Sequence, residues 1–222
     1  MVIANLKQLV HIPVDAVMLD GELVLPEDAE AVVIFAHGSG SSRYSPRNKF
    51  VAEALQEEGL GTLLFDLLTR EEEMLYANRF NISLLTDRLK AATLWLEQHL
   101  KEKGLAVGYF GASTGAAAAF WAAADLRKEV RAVVSRGGRP DLAGPVRDSV
   151  EAPTLLIVGE RDYAIIDLNR DAFKRVTTVK HLKVIAGATH LFEEPGALEQ
   201  VAYAAAEWFI RHLLSTEQKT AA

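Results

Sequence analysis

The sequence of 222 residues contains no cysteine. Disulfide bonds, thiolate catalysis and cysteine-type zinc sites are therefore excluded. The chain also has no excess of basic residues, because 24 Lys and Arg stand against 30 Asp and Glu and give a formal net charge of -6. Such a surface does not attract nucleic acid or anionic lipid. We therefore expect the partners of this protein to be small molecules.

Two kinds of targeting segment are missing as well. No apolar run reaches the roughly 18 residues that indicate a membrane span. The N-terminal stretch MVIANLKQLVHIPVD lacks the basic region and the clean apolar core of a secretory signal. We expect a cytoplasmic protein with neither a membrane nor a nucleic-acid partner. Its oligomeric state stays open between monomer and homodimer.

What the sequence does contain is an alternation of strand-like and helix-like segments. Its composition, 50% hydrophobic and 24% charged residues, is typical of a globular protein. Continuously apolar runs, typical of strands buried on both faces of a parallel sheet, span residues 31–36, 62–65, 105–110, 130–135, 154–158 and 181–186. Apolar periodicity and proline or glycine boundaries predict helices over residues 46–58, 82–103, 166–176 and 195–214.

This alternation predicts an α/β fold, a mostly parallel twisted sheet with helices on both faces. Before it, the dipeptide Asp20-Gly21 lies between apolar flanks and predicts a hairpin turn, hence an antiparallel edge. Without a repeat, linker or composition break, residues 1–222 are expected to form a single domain. The predicted strands 130–135 and 154–158 are too close in sequence for a cap domain, so we expect an accessible site.

Ser113 is the candidate nucleophile. It lies in GYFGASTGAAAAFW, with Gly111 two residues before it and Gly115 two residues after it. A predicted strand precedes this G-x-S-x-G spacing and a predicted helix follows it, which is the context of a nucleophile elbow. The turn is crowded and demands small neighbours, and the alanines at 116–119 would let the helix pack closely. The alternative is a serine helix cap bounded by glycines.

A serine nucleophile needs a base and an orienting acid. His190, in the loop GATHLFEEPG after the last predicted strand, is the candidate base because this loop returns over the carboxyl edge of the sheet. The other histidines lie before the parallel sheet, in helices, at a strand start or in another loop: His11, His99, His212, His181 and His37. Asp162, in GERD after the strand 154–158, is the candidate acid, with Asp141 and Glu160 as alternatives.

An oxyanion hole needs two backbone N–H groups aimed at the developing charge. The residue after the nucleophile is Thr114, and the loop HGSGSS after the strand 31–36 offers Ser39, with Gly40 as the alternative. For His37 in this loop, a structural role buried against the site stays open beside a catalytic one. The loop does not fit the dinucleotide-binding spacing G-x-G-x-x-G, because Arg43 stands where the third glycine belongs.

Taken together, these segments resemble the α/β-hydrolase superfamily, and most closely its dienelactone-hydrolase-like branch. The matching segments are HGSGSSRYSPRN, LLFDLLT, GYFGASTG, SRGGRPDLA, APTLLIVGERD and GATHLFEEPGALE, in the family order. The resemblance implies an α/β-hydrolase fold with Ser113, Asp162 and His190 as a catalytic triad. Dienelactone hydrolases proper use a cysteine nucleophile, so the serine here favours a generic serine esterase over dienelactone as substrate.

Charged residues near the expected site offer further candidates. Arg136 and Arg139 in RGGRPDL, and Arg43 in the oxyanion loop, are tentative ligands for a substrate carboxylate, since a guanidinium binds such a group through two hydrogen bonds. The alternative for each is an ion pair that ties a loop. The acidic run at residues 70–73 is expected to be a solvated loop face, and the alternative is that it lines the entrance of the site because it follows the strand 62–65. Asp66 is expected to be structural.

The sequence therefore predicts a serine hydrolase of small, short-chain or lactone-type carboxylic esters that works through an acyl-enzyme. We expect no cofactor and no metal, because no His and carboxylate spacing matches a zinc site. Two other classes of function stay open. The same triad could serve acyl transfer, thioester hydrolysis or peptide hydrolysis, or the hydrolase fold could be retained as a non-catalytic binding module.

Overall fold

Eight strands form one sheet at the centre of the molecule. A computed structural model describes residues 6–214 of the chain. In chain order the strands are β1 (Leu6–Val14), β2 (Val17–Leu25), β3 (Ala31–Ala36), β4 (Gly61–Phe65), β5 (Ala106–Ala112), β6 (Val130–Arg136), β7 (Thr154–Gly159) and β8 (Lys180–Ile185). The sheet order is β1-β2-β4-β3-β5-β6-β7-β8. The β1–β2 and β2–β4 pairs are antiparallel, and the pairs from β4 to β8 are parallel.

Helices cover both faces of this sheet, as the alternation of segments predicts. They are α1 (Pro46–Glu57), α2 (Arg70–Met74), α3 (Ile82–His99), α4 (Thr114–Leu126), α5 (Tyr163–Arg175) and α6 (Ala197–Leu213), with 3-10 turns at Tyr76–Phe80, Arg127–Glu129 and Pro140–Ser149. One buried apolar cluster contains α3 and α4 side chains and the other contains those of α1 and α6. The predicted α/β fold is thereby confirmed. Of the predicted domain, residues 1–5 and 215–222 lie outside the described residues.

The N-terminal antiparallel hairpin exists, but its predicted turn at Asp20-Gly21 is wrong. β2 runs through both residues, and the turn lies instead at Asp15, whose φ of 50° is one that aspartate tolerates in turns. Gly21 is needed for close packing, because a Cβ there would lie 3.0 Å from Val10 Cγ2 and 3.1 Å from Phe65 Cβ. The glycine therefore marks a tight approach between neighbouring strands.

The acidic run at residues 70–73 is solvated as predicted, with Arg70 and Glu71 exposed, but it is not a loop. It forms the short helix α2, which starts with a capping box: Thr69 Oγ1 accepts from the Glu72 N–H, and a Glu72 carboxylate oxygen accepts from the Thr69 N–H. Glu72 pairs with Arg88 at 2.7 Å and Glu73 pairs with Arg79 at 2.8 Å. The charges at 72 and 73 are therefore used to hold the chain after β4 in place.

The connection from β6 to β7 contains the 3-10 turn Pro140–Ser149 and no inserted domain. No helix within residues 6–214 is both long and apolar enough to cross a membrane. α4 is buried along most of its length, and the alanines at 116–119 are each 0% exposed. Because their side chains are methyl groups, this helix packs close to the sheet. The strand that precedes α4 and the loop that follows β3 are thus held near each other.

Candidate active site

Ser113 occupies the sharp turn between β5 and α4. Its φ of 51° and ψ of -118° are unusual for a residue with a side chain, and such strain concentrates at functional sites. A Cβ on Gly115 would lie 2.2 Å from the Ala36 carbonyl oxygen, and one on Gly111 would lie 2.5 Å from Ala116 Cα. Both positions require glycine because another part of the backbone lies too close for a side chain. This close approach is the physical basis of the G-x-S-x-G spacing.

The loop after β3 lies directly against this turn. A Cβ on Gly38 would lie 3.1 Å from Ser113 Cβ, so glycine at 38 lets the two segments meet. Ser39 follows at the exposed surface, and Thr114 is the first residue of α4. Within residues 6–214, neither the Ser39 N–H nor the Thr114 N–H donates to a backbone carbonyl. These two N–H groups are the predicted oxyanion donors, and both are free to bind a ligand.

His37 anchors the loop after β3, which carries the predicted oxyanion donor Ser39. The ring is buried, with Nδ1 2.9 Å from the Gly38 carbonyl and Nε2 3.0 Å from the Leu67 N–H. The Nε2 atom must accept from that N–H, so Nδ1 donates to the carbonyl and the imidazole is neutral. Burial lowers the pKa of His37 below its ordinary value. This arrangement suits a structural role for His37, one of the two roles that the sequence leaves open.

Asp162 and His190 meet at the carboxyl ends of β7 and β8. Asp162 Oδ2 lies 2.6 Å from His190 Nδ1, and the Asp162 side chain is 11% exposed against 37% for His190. Asp162 precedes α5 as its N-cap residue, but its side chain makes no cap hydrogen bond. The carboxylate is therefore directed at the imidazole, which leaves Nε2 of His190 facing away from it.

Several residues that sequence reasoning missed hold the His190 loop in place. A Cβ on Gly159 would lie 2.4 Å from the Ala188 carbonyl oxygen, so glycine lets the end of β7 approach this loop. The Thr189 N–H donates to both carboxylate oxygens of Glu194 at 3.1 Å. Hydrogen bonding to the Thr189 side chain, and then to the backbone of Glu194 and Thr189, lowers the pKa of Glu194. Phe192 is buried with a φ of 56°. The sequence GATHLFEEP, with its glycine directly after a strand, indicates a tight loop. It does not indicate the contacts of Gly159, Glu194 and Phe192.

The segment after β6 connects Ser113 with His190. The Ser113 N–H donates to the Arg136 carbonyl at 3.2 Å, and the Arg139 N–H donates to the Ser113 carbonyl at 3.1 Å. Between them, a Cβ on Gly137 would lie 3.3 Å from His190 Nδ1. In the described residues no hydrogen bond joins Ser113 Oγ to His190, a bond that in unliganded sites is often long and tightens with substrate. The structure thus places serine and histidine on either side of one short segment.

Asn169 fixes this segment from the opposite side. It is fully buried in α5, and its Nδ2 atom donates to the Gly138 carbonyl at 3.0 Å and to the Ile165 carbonyl at 2.8 Å. Nothing in the sequence around Asn169 distinguishes it from an ordinary helix-surface amide. Its role becomes visible only when α5 and the segment after β6 are seen together.

The alternative acids are occupied elsewhere. Asp141 makes two hydrogen bonds to Arg139 at 2.8 and 2.7 Å, and Glu160 accepts from the Gly187 N–H at 2.7 Å. Of the alternative histidines, the exposed His11 pairs with Asp20. His99 stacks on Trp95, and His212 packs against Trp208 with the rings tilted. His181 is exposed in β8. His190 with Asp162 is the histidine–carboxylate pair beside the serine.

The three tentative substrate arginines differ in environment. Arg43 is paired with Asp66 and lies 3.4 Å from Asp20, and Arg139 is paired with Asp141, so both tie loops within the chain. Arg136 is 8% exposed, and two of its guanidinium nitrogens make no hydrogen bond. Asp66 has the structural role that the sequence predicts.

Two cavities adjoin the site. A cavity of about 10 Å³ is lined by Ser39, Thr114 and Arg79 among others, next to the predicted oxyanion donors. A cleft of about 820 Å³ lies beside it, between β2 and residues 66–73, and is lined by His37, Leu68 and Glu73 as well. No cluster of three or more His, Asp or Glu suited to a metal ion occurs within residues 6–214.

The sheet order, the strained serine between β5 and α4, and the Asp–His pair after β7 and β8 define the protein as an α/β hydrolase. Residues 19–216 match the model of the "Dienelactone hydrolase family", and the chain belongs to this family.

Solved structures agree with this assignment. A dienelactone hydrolase from Anabaena variabilis is 54% identical, with a TM-score of 0.90 over 95% of this chain and 99% of that one. Est1E from Butyrivibrio proteoclasticus is 18% identical with a TM-score of 0.76, over 91% of this chain and 98% of its own, and shares the fold.

Two curated relatives from Mycobacterium tuberculosis carry a different name. Each is called a "Putative phosphoribosyl transferase" and is 57% identical over 204 residues, which is 92% of this chain and 46% of the relative. The chain therefore spans about half the length of the curated relatives that it matches.

Proposed function

We propose that this protein is a serine esterase that cleaves small carboxylic esters through Ser113, His190 and Asp162. The observation that carries the proposal is the 2.6 Å hydrogen bond between Asp162 and His190. His190 also lies against Gly137, and the backbone groups of Arg136 and Arg139 on either side of this glycine are hydrogen-bonded to Ser113. The hydrolase family and its esterase-like neighbours support an enzyme of this general class.

The first half of the reaction forms an acyl-enzyme. Ser113 Oγ attacks the ester carbonyl carbon while His190 Nε2 accepts the hydroxyl proton. The Asp162 carboxylate accepts from His190 Nδ1–H, which fixes the tautomer and stabilises the imidazolium that forms. The C–O bond to the alcohol then breaks, and His190 returns the proton to the leaving oxygen. The strained turn at Ser113 keeps the hydroxyl accessible throughout.

The second half of the reaction releases the acid. His190 accepts a proton from water, the hydroxide attacks the acyl carbon, and the bond to Ser113 Oγ breaks as the proton passes back to the serine. In both halves the carbonyl oxygen becomes negatively charged. The Ser39 and Thr114 N–H groups, free of backbone partners within residues 6–214, are the donors that would stabilise this charge.

The architecture around the site favours small substrates. The β6–β7 connection supplies a 3-10 turn rather than a cap that would cover a long chain bound at the site. A short acyl chain or a lactone ring fits such a site better than a long lipid chain does. The larger cleft beside it is polar at one wall, with Asp20, Asp66 and Glu71 among its lining residues.

The transferase name of the Mycobacterium tuberculosis relatives is not carried over to this chain. That name describes proteins of which this chain matches 46%. The site described above combines a strained serine, a histidine and a buried carboxylate, and these are groups for acyl transfer to water rather than for transfer of a phosphoribosyl group.

A panel of 4-nitrophenyl esters and lactones of increasing acyl length tests the proposal. We expect the wild type to hydrolyse the acetate and butyrate esters faster than the decanoate. Ser113→Ala should lose essentially all activity, whereas Ser83→Ala, the same change at an exposed serine of α3, should retain it. Equal hydrolysis by wild type and Ser113→Ala, or no hydrolysis of any ester, would refute the proposal. Addition of alcohol or thiol acceptors reports any competing acyl transfer.

A further inference from the structure

Arg136 is a buried cation with few partners. It is the last residue of β6 and is 8% exposed. Its Nη2 atom lies 3.4 Å from Asn48 Oδ1, a long hydrogen bond, and its Nε and Nη1 atoms are buried without a hydrogen bond. A guanidinium has five N–H donors, and leaving an ionised group buried and unpaired is strongly unfavourable. Burial and the nearby Arg47 lower the pKa of Arg136 to about 10, which still leaves it charged at neutral pH.

A second incompletely paired arginine lies next to it. Arg47 Nη1 pairs with Glu193 Oε1 at 3.0 Å, but the Glu193 side chain is 65% exposed, so solvent weakens this pair. Arg47 Nε is buried and makes no hydrogen bond. In the part of the chain that the structure describes, no carboxylate forms an ion pair with Arg136, so the positive charges of Arg136 and Arg47 repel each other. An anion bound between them would remove this cost.

The N-terminus of α1 adds to the positive charge. This helix has 12 residues, begins at Pro46, and has no acidic residue in its first turn. Ser45 Oγ accepts from the Asn48 N–H, whereas the Arg47 N–H has no backbone partner within residues 6–214. Free N–H groups and the helix dipole favour anions at such a position. The buried Arg136 guanidinium reaches the first turn of α1, because its Nη2 atom lies 3.4 Å from Asn48 Oδ1.

We propose that the N-terminus of α1, Arg47, Asn48 and Arg136 form a subsite for an oxyanion group, a carboxylate or a phosphate. Below it is called the anion subsite. Both group types accept two parallel hydrogen bonds from a guanidinium. The subsite accounts for the donors on Arg136 and Arg47 that the protein itself leaves unused.

The anion subsite shares its loops with the proposed catalytic residues. The Arg136 carbonyl accepts from the Ser113 N–H, and Gly137 follows against His190. Glu193, the partner of Arg47, lies three residues after His190 in the same loop. This part of the inference rests on the proposed function: the substrate would be an ester with a negatively charged group in its acyl or alcohol part.

Binding of inorganic phosphate and of acetate, measured by titration calorimetry at constant ionic strength, tests the subsite without relying on catalysis. We expect wild type to bind at least one of them saturably with one equivalent. Arg136→Gln should weaken binding about tenfold or more, because a charge-assisted bidentate pair is lost. Arg170→Gln removes an exposed arginine that pairs with Asp167 three residues before it; this variant serves as the control and should bind as wild type does. The preference between phosphate and acetate identifies the group type.

Two further variants distinguish an anion subsite from an arginine that merely ties α1 to β6. Glu193→Gln removes a competing carboxylate, so the anion should bind about twofold to fivefold more tightly. Arg47→Gln changes a less buried residue and should weaken binding even if Arg136→Gln fails to fold. Weaker or unchanged binding in Glu193→Gln, unchanged binding in Arg47→Gln, or no saturable binding by wild type would overturn the inference.

The substrate class is tested with two esters of equal acyl length, 4-nitrophenyl butyrate and 4-nitrophenyl hydrogen succinate. The ratio of kcat/KM for the charged ester to that for the neutral ester should fall about tenfold or more in Arg136→Gln and stay constant in Arg170→Gln. A constant ratio in Arg136→Gln with hydrolysis intact refutes the charged substrate alone. Anion binding that depends on Arg136, without hydrolysis of either ester, leaves the subsite standing and refutes the esterase.

Discussion

Replacing Gly115 with alanine places a methyl group where the structure has no room. The new Cβ would lie 2.2 Å from the Ala36 carbonyl oxygen and 2.4 Å from the His37 carbonyl oxygen. Carbon and oxygen atoms in close contact normally stay about 3.3 Å apart. The first turn of α4 and the end of β3 must therefore separate by about 1 Å, the difference between those distances. Both obstructing atoms belong to the backbone, so no side-chain rotation can relieve the overlap.

The sign of the effect separates two physical explanations of this glycine. Helix propensity alone predicts that alanine within α4 stabilises the protein by up to about 1 kcal/mol. Overpacking in a rigid core costs about 1–3 kcal/mol and occasionally more. Because the overlap here is with two backbone carbonyls, we expect the upper end, a net loss of about 3 kcal/mol.

Urea unfolding followed by circular dichroism measures this loss as a lower midpoint at an unchanged slope. Gly104→Ala is the matched control, since Gly104 has a φ of +60° and no neighbour within 4 Å of an added Cβ. The control should lose only about 1 kcal/mol, from the left-handed backbone alone. A Gly115→Ala protein as stable as wild type, or less affected than Gly104→Ala, would refute the steric account of the elbow.

Three further predictions concern the site and its supports. Asp162→Asn should leave folding intact but lower kcat about 10³–10⁴-fold, because the amide no longer fixes the tautomer of His190; a loss below tenfold in steady-state assays would contradict the proposed role. The wild type should lose free energy of unfolding as pH falls through 6.5, the ordinary pKa of histidine, because the unfolded chain takes up a proton that buried His37 resists. The difference from His37→Ala should change by at most about 1.4 kcal/mol per pH unit, and parallel unfolding curves for the two proteins over this range exclude His37 as the cause. Asn169→Ala leaves the Gly138 carbonyl without its donor and should cost about 1–3 kcal/mol in urea unfolding, together with a drop in kcat/KM; an unchanged kcat/KM would show that this bond does not position the site.

Much of the architecture was predictable because its signals are local. Continuous apolar runs gave the parallel strands to within one or two residues at most of their ends. The strand before Ser113, the glycines around it and the later positions of Asp162 and His190 follow the chain order of α/β hydrolases. In the structure, Asp162 Oδ2 and His190 Nδ1 lie 2.6 Å apart, although the two residues are 28 positions apart in the sequence.

The two errors in the fold have different physical causes. Asp20-Gly21 has the composition of a turn, yet Gly21 is dictated by Val10 and Phe65 on the adjacent strands. The run at 70–73 looked like a solvated loop, although the capping-box spacing from Thr69 to Glu72 was visible in the sequence.

The partners of the arginines could not be predicted because they depend on which side chains the fold brings together. Sequence shows which loops carry Arg43, Arg136 and Arg139, but not which carboxylates face them. Asp66 is 23 residues from Arg43, whereas Asp141 is two residues from Arg139. Only the folded chain shows that Arg136 is the one left without a carboxylate within residues 6–214, and that contrast is what points to an anion ligand.

The most direct test of the central claim is covalent labelling by a fluorophosphonate, which reacts with an activated serine, followed by mass spectrometry of the peptide that contains Ser113. The account predicts one equivalent of label on Ser113, no label in Ser113→Ala, and much slower labelling in His190→Ala. Absence of labelling in the wild type, or label retained at another residue in Ser113→Ala, would contradict it.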